Sequence, residues 1–329
     1  LALLIVAADL LVRGVSALAQ AAGVPPLVVG LTLVAFGTSL PEVVINSLSA
    51  VHGQTELAFG NIVGSSTINI GFVLAITAIV HPLTVKHSII LREIPMMLLG
   101  VAALLLLSSD HLLNGAADNQ LVRSDGLVLL LFFCVFLYYV IMNAVRREQE
   151  PAASADALVE EVQRNIADPP ALVPAAAARP IPISILMTLG GLIGVAIGGR
   201  LVVAGAVKIA EAMQVPQVII GLTIVSFGTT LPELATSVVA ARRGQSDLAL
   251  GNVIGSNIFN ILFIGGLCAT IAPIRVPRGG ELDLIFLFGL CALLLPVVIR
   301  GPRRVTRGEG VLIFSGYLAY TLWRTFFST

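Results

Sequence analysis

The sequence predicts an all-α polytopic membrane protein of ten transmembrane helices, built as two inverted-topology five-helix repeats. Three observations carry this. The 329-residue chain is 57% hydrophobic and only 12% charged, with a mean hydropathy of +0.98, whereas a soluble domain of that size carries roughly 25% charged residues. Apolar runs recur nearly end to end, each of about twenty residues, long enough to cross ~30 Å of hydrocarbon as a helix. Finally, residues 30–42, GLTLVAFGTSLPE, return as residues 221–233, GLTIVSFGTTLPE, with ten of thirteen positions identical at an offset of 191.

Turn residues and charges place the ten spans at approximately 1–20, 27–51, 56–80, 88–108, 122–145, 182–209, 218–241, 247–272, 282–299 and 310–327. The first begins abruptly at LALLIVAADLL and reads as a helix whose start is missing, because a removable signal peptide needs a basic start and a cleavage site. Residues 147–181 are rich in Ala, Pro and acids, the composition of a mobile or partly ordered linker, and too short to hide a sizeable domain. The plan is therefore a first repeat over 1–146, a linker over 147–181 and a second repeat over 182–329. Within the repeats, GNIVGSSTINI (60–70) aligns with GNVIGSNIFNI (251–261), and ADLLVRG (8–14) aligns loosely with GRLVVAG (199–205). The paired motifs thus occupy 30–70 and 221–261.

Five spans per repeat is an odd number, so the second copy enters the membrane the other way up. Repeats of that kind pair about an axis in the membrane plane and place substrate sites near mid-depth. The alternate loops carry twelve Lys and Arg on one side against five on the other. Positive residues stay cytoplasmic, which puts both termini outside and the linker in the cytoplasm.

Zero net charge gives no footprint for nucleic acid or an acidic protein partner, and no obligatory protein partner is evident. Cys134, Cys268 and Cys291 lie singly in apolar runs without ligand spacing and read as small buried hydrophobes. His52, His81, His87 and His111 sit near the ends of runs, in interfacial or loop positions. No serine–histidine pairing at depth points to a hydrolase, so the chain reads as a non-enzyme without a cofactor.

The chemistry lies in the repeated motifs. An acid in a bilayer core costs at least ~2.5–3.5 kcal/mol and marks a pathway or site, and here the acid occurs twice, as Glu42 and Glu233. Symmetry brings the two together at the centre. Thr38 and Ser39 precede Glu42 by four and three residues, and Thr229 and Thr230 precede Glu233 likewise, so unbroken helical spacing stacks the hydroxyls beneath each carboxylate. Pro41 and Pro232 lack an N–H, which frees the carbonyls of Gly37 and Gly228; bare carbonyls of broken helices coordinate cations. Ser65 with Asn69, and Ser256 with Asn260, lie four apart on one face. Gly60, Gly64, Gly251 and Gly255 form small-xxx-small pairs for close helix packing, and Asn61 and Asn252 read as interhelical glue. The sum is an all-oxygen cage of the kind hard cations want; Ca2+ takes ~6–8 oxygens at about 2.3–2.6 Å. Two buried carboxylates left empty cost several kcal/mol each, so the cage is expected to be ion-loaded or protonated in every stable state. That requirement is the seed of obligatory exchange.

GTSLPE and GTTLPE, followed by GNIVGSSTIN and GNVIGSNIFN, resemble the two alpha repeats of the cation/calcium exchanger superfamily, in particular the prokaryotic sodium/calcium exchangers. The resemblance covers nearly the whole chain. It implies that Glu42 and Glu233 are shared ion ligands, that Thr38 and Thr229 supply carbonyl or hydroxyl oxygens, that Ser39, Ser65, Thr230 and Ser256 serve flanking sodium sites, and that Asn69 and Asn260 complete the centre. It further implies Na+ exchanged for Ca2+ by alternating access, the first and sixth helices sliding across the rest, in a prokaryotic inner membrane. Some relatives carry an acid where this chain has Asn260, and the amide argues against potassium cotransport. Ser66 replaces the family's usual asparagine, which Asn257 retains. The GNxxE-type motif of proton-coupled relatives is absent, which favours sodium over the alternative, an H+-coupled Ca2+/Mn2+ antiporter.

Overall fold

The computed structural model describes residues 1–111, 115, 118–149, 180–213, 226–299 and 303–327. Residues 150–179 of the expected linker and residues 221–225 of the second motif lie outside these. The fold is a mostly helical, polytopic membrane architecture. Its described helices are α1 (Ala2–Ala21), α2 (Pro26–Thr38), α3 (Leu40–Val51), α4 (Thr55–Val80), α5 (Ile89–Leu107), α6 (Arg123–Gln149), α7 (Ile181–Ala212), α8 (Ser226–Thr229), α9 (Leu231–Arg242), α10 (Ser246–Ile271), α11 (Gly280–Ile299) and α12 (Arg307–Phe327). Seven are long and apolar enough to cross a membrane alone, and eight spans result if α2 and α3 count as one bent span. The expected span at 218–241 begins among residues that are not described and continues as α8 and α9; that at 310–327 is the 21-residue α12.

Local chemistry sets the boundaries. Gly23, at φ +66°, ends the turn after α1, and Pro26 opens α2 at a position where its missing N–H costs nothing. Gly53 and Gly244, at φ +73° and +71°, make the same turn after α3 and α9. Acids occupy the first turns of α4, α10 and α11, namely Glu56, Asp247, and Glu281 with Asp283, where the helix N-terminus favours negative charge.

Two features depart from a purely regular all-α expectation. Among the described residues four stretches wind as π-helix: Gly30–Val34, Asn69–Leu74, Ile89–Glu93 and Phe259–Ile264. Two antiparallel pairs of two-residue strands also occur, β1 (Leu83–Thr84) with β4 (Arg304–Val305) and β2 (Gln120–Leu121) with β3 (Ile274–Arg275). Each pair joins a loop of the first half of the chain to a loop of the second.

The central helices are α4 and α10. In their most apolar stretches 78% of residues are buried, against 22–44% in the five other spans. α1 runs along α7 with small residues at the seam: a Cβ on Gly191 would stand 2.5 Å from the Leu11 nitrogen, and one on Gly194 2.7 Å from the Ala7 Cβ. Such contacts replace the hydrophobic drive that lipid cannot supply between helices.

Candidate functional site

Two helix breaks build the site. α2 ends at Thr38; Ser39 (φ −85°, ψ 6°) leaves the helical path, and α3 restarts at Leu40 with a 50° change of direction. Thr230 (φ −90°, ψ 1°) separates α8 from α9 in the same way. Pro41 and Pro232 fall at the second residues of the new helices, where proline is tolerated and the missing N–H leaves a carbonyl four residues back without its bond. Glu42 and Glu233 therefore stand in the first turns of α3 and α9.

An acid three residues after Ser or Thr at a helix start can belong to a capping box, in which side chains close on each other's backbone N–H. α12 has such a box: the Thr306 N–H donates to Glu309 Oε2 at 2.7 Å, and the Glu309 N–H reaches the Thr306 hydroxyl at 3.4 Å. Ser39 and Thr230 have the same spacing to Glu42 and Glu233 but form no side-chain cap. The two carboxylates are buried, each 1% exposed, and are not consumed in holding their own helices.

What they face lies in the other half of the chain. The Ser39 hydroxyl donates to Glu233 Oε1 at 3.1 Å, and Thr38 is turned towards the same carboxylate while Thr229 is turned towards Glu42. The two carboxylates are near enough to feel each other's charge. This corrects the expectation that each pair of hydroxyls stacks beneath its own glutamate: the breaks at Ser39 and Thr230 turn the hydroxyls away from the helix that follows. Thr230 differs again, giving its hydroxyl to the Phe227 carbonyl at 2.9 Å.

The remaining candidates are buried and open-valenced. Ser65, Asn69, Ser256 and Asn260 are at most 2% exposed. Both oxygens of Glu42, Oε2 of Glu233, the hydroxyls of Ser65 and Ser256, both polar atoms of Asn69 and Oδ1 of Asn260 have no hydrogen-bond partner. A buried polar group left so costs about 1–3 kcal/mol, so this concentration calls for a polar occupant. The packing brings the set together crosswise: α3 meets the π-wound stretch that holds Asn260, α9 meets the stretch that holds Asn69, α8 meets α4, and α2 meets α10. Among the described residues, no group of three or more His, Cys, Asp or Glu forms a metal site.

Asparagines brace the acids from behind. The Asn46 amide donates to the Glu42 carbonyl and to Asn61 Oδ1, both at 2.8 Å. In the second half the Asn252 amide donates to the Glu233 carbonyl at 3.3 Å and to Ser237 at 2.9 Å. Asn61 and Asn252 are thus interhelical ties. Since α3 and α4 run antiparallel through a short turn, the Asn46–Asn61 contact puts Glu42, one turn back, opposite Ser65, one turn on. Sequence reasoning passed over Asn46 and Ser237, whose signal was their position one turn beyond each acid. Asn46 Oδ1, 1% exposed as a residue, has no partner, whereas the Ser237 hydroxyl at the equivalent position accepts from Asn252.

The glycines of α10 are closely packed on one side of the site. Gly251 and Gly255 of α10 are sealed against α2: an added Cβ would stand 2.8 Å from the Leu27 carbonyl oxygen and 2.7 Å from that of Leu31, respectively. Thr38 adds a hydroxyl contact to Asn252 Oδ1 at 3.3 Å. The corresponding Gly60 is exposed and Gly64 half-buried; residues 218–222, equivalent to Leu27–Leu31, lie outside the described residues.

Comparisons with known proteins agree with this architecture. The family model "Sodium/calcium exchanger protein" matches residues 1–142 and 183–326. The inner membrane protein YrbG of Escherichia coli is 35% identical over 322 residues, covering 97% of this chain and 93% of that protein. The sodium/calcium exchanger MaX1 of Methanosarcina acetivorans is 28% identical, covering 97% and 95%. Among solved structures, the sodium–calcium exchanger NCX_Mj, soaked with Na+ and Ca2+, superposes with a TM-score of 0.78 at 28% identity, covering 97% of this chain and 94% of the other.

Proposed function

Because the chain belongs to the sodium/calcium exchanger protein family, we propose that it is a secondary active antiporter exchanging Na+ for Ca2+ by alternating access. The observation that carries this reading is the pair of buried carboxylates, Glu42 and Glu233, facing each other amid unpartnered oxygens contributed by both halves. Glu42 and Glu233 are the shared ligands. Thr38 and Thr229 add hydroxyl or carbonyl oxygens, Asn69 and Asn260 complete the centre, and Ser39, Thr230, Ser65 and Ser256 flank it as sodium ligands.

Charge makes exchange obligatory. The N-terminal ends of α3 and α9 offset part of each glutamate's charge, but two carboxylates taken out of water together still cost several kcal/mol each. One Ca2+ or two Na+ match the formal charge of the pair, so the protein can pass between its access states loaded and not empty. An ion then leaves only as another replaces it.

In this reading the ten spans form two repeats of opposite orientation, 1–146 and 182–329, joined by the 147–181 linker on the cytoplasmic side, with both termini outside. The recurrence of elements at one spacing supports it: α3 and α9 begin and end 191 residues apart, as do β1 and β3. The two access states are then the two ways of arranging equivalent halves.

The test is Ca2+ uptake into membrane vesicles carrying the purified protein. A sodium gradient is expected to drive uptake and a pH gradient alone to leave it at background. Uptake driven by the pH gradient and indifferent to sodium would overturn the sodium coupling in favour of H+-coupled Ca2+/Mn2+ antiport.

A further inference from the structure

α1 is tied to the end of α9 by polar contacts outside the ion cage. Arg243, one residue past α9, donates through Nε to Asp9 at 2.7 Å and pairs with it again through Nη2. Arg13 meets the same carboxylate at 2.8 Å. Two turns along α1, the Ser16 hydroxyl donates to Gln245 Oε1 at 2.8 Å. Behind these ties lies the seal of α2 on Gly251 and Gly255, so one flank of the cage is shut from the 243–245 turn inward to Thr38.

The equivalent contacts on the other flank cannot form. Moved by the 191-residue offset, Asp9 becomes Arg200, Arg243 becomes His52, Ser16 becomes Val207 and Gln245 becomes Gln54. An arginine would face a histidine, and a valine a glutamine. The packing is equally one-sided: α1 lies extensively against α9, whereas α7, its counterpart, makes no comparable contact with α3 among the described residues.

We propose that the Asp9–Arg243 pair and the Ser16–Gln245 contact form a one-sided latch, which holds the cage shut towards the 243–245 turn and must open once in every transport cycle. This rests on the alternating-access reading above. Two states related by pseudo-symmetry would be equal in energy if the halves were identical; a latch in one alone makes them unequal. The apparent affinity of each face scales with the fraction of protein open to that face. The latch therefore raises apparent ion affinity at the 52–54 face and lowers it at the 243–245 face.

Two experiments test this, in a Cys134→Ser background because Cys134 is exposed whereas Cys268 and Cys291 are buried. Ser16→Cys with Gln245→Cys is expected to exchange Na+ for Ca2+ when reduced, to stop when oxidised to the disulfide, and to recover with reductant. Failure of the disulfide to form, or exchange that continues through it, overturns the latch. In sided vesicles, Asp9→Asn and Arg243→Gln are expected each to shift the ratio of half-saturating Ca2+ at the two faces by about two- to fivefold, the range of a partly exposed ion pair, and the double variant no further than either single one. An unchanged ratio, or additive shifts in the double variant, overturns it. If the reduced parent exchanges no Na+ for Ca2+ at all, the proposed function fails; normal exchange with an unmoved ratio fails the latch alone.

Discussion

Ser39 and Glu233, 194 residues apart in sequence, share a 3.1 Å hydrogen bond, whereas Thr230, the counterpart of Ser39, spends its hydroxyl on the Phe227 carbonyl of its own half. Hydrogen bonds to charged groups contribute about 1.5–3 kcal/mol. Ser39→Ala removes this bond together with a proposed sodium ligand and is therefore expected to weaken Na+ binding by roughly tenfold or more, and Thr230→Ala by clearly less, measured by Na+ competition against bound Ca2+ on the purified protein. Equal losses would show that the two hydroxyls are interchangeable on the timescale of binding.

Glu42→Gln and Glu233→Gln each remove half of the cage's charge. Exchange is expected to fall to background in both while the protein stays folded. The discriminating measurement is thermal unfolding with and without Ca2+: a ligand at a hundred times its Kd stabilises by about 2.7 kcal/mol, and both variants are expected to lose that gain. A variant that keeps the Ca2+-dependent rise in Tm would remove its glutamate from the ligand set.

Asn260→Asp adds a third carboxylate to the cage. Ion preference is expected to move towards more highly charged loads, with Ca2+ binding tightened relative to Na+, measured by Na+ competition against bound Ca2+. Activity is expected to persist in altered form; an unchanged competition curve would place residue 260 outside the cage.

The glycine faces of α4 and α10 offer a test of the alternation. Gly251→Ala and Gly255→Ala place a methyl group under 3 Å from backbone carbonyls of α2, so loss of stability and of transport is expected together. Gly60→Ala and Gly64→Ala meet no described atom within 4 Å. These variants are expected to exchange slowly, because the opposite access state would need the same close seal on α4. Full-speed exchange by Gly60→Ala would argue that the second state does not mirror the first.

Much of this was legible in the residues. Proline and glycine punctuation is local, so the second and third spans fell within a residue or two of their observed bounds, and the repeat singled out Glu42 and Glu233 without any structure. The partners of the hydroxyls were not legible. Whether Ser39 serves Glu42 or Glu233 depends on a kink at Ser39 itself and on which half packs across it, and helical spacing within one motif carries neither. The π-wound stretches at Asn69 and Phe259 were hidden for a similar reason, since no residue type there demands a wider turn. The inequality of Asn46 and Ser237 was visible as two letters, but its meaning needed the neighbouring helix.

The strand pairs have a consequence for biogenesis. Leu83 pairs with Val305, and Leu121 with Ile274, so the early loops find their partners only when the late part of the chain has left the ribosome. At ~5–20 residues per second of synthesis, β1 waits on the order of ten to forty seconds before its partner strand emerges. Maturation of the first half is thus timed by the arrival of Arg304 and Val305.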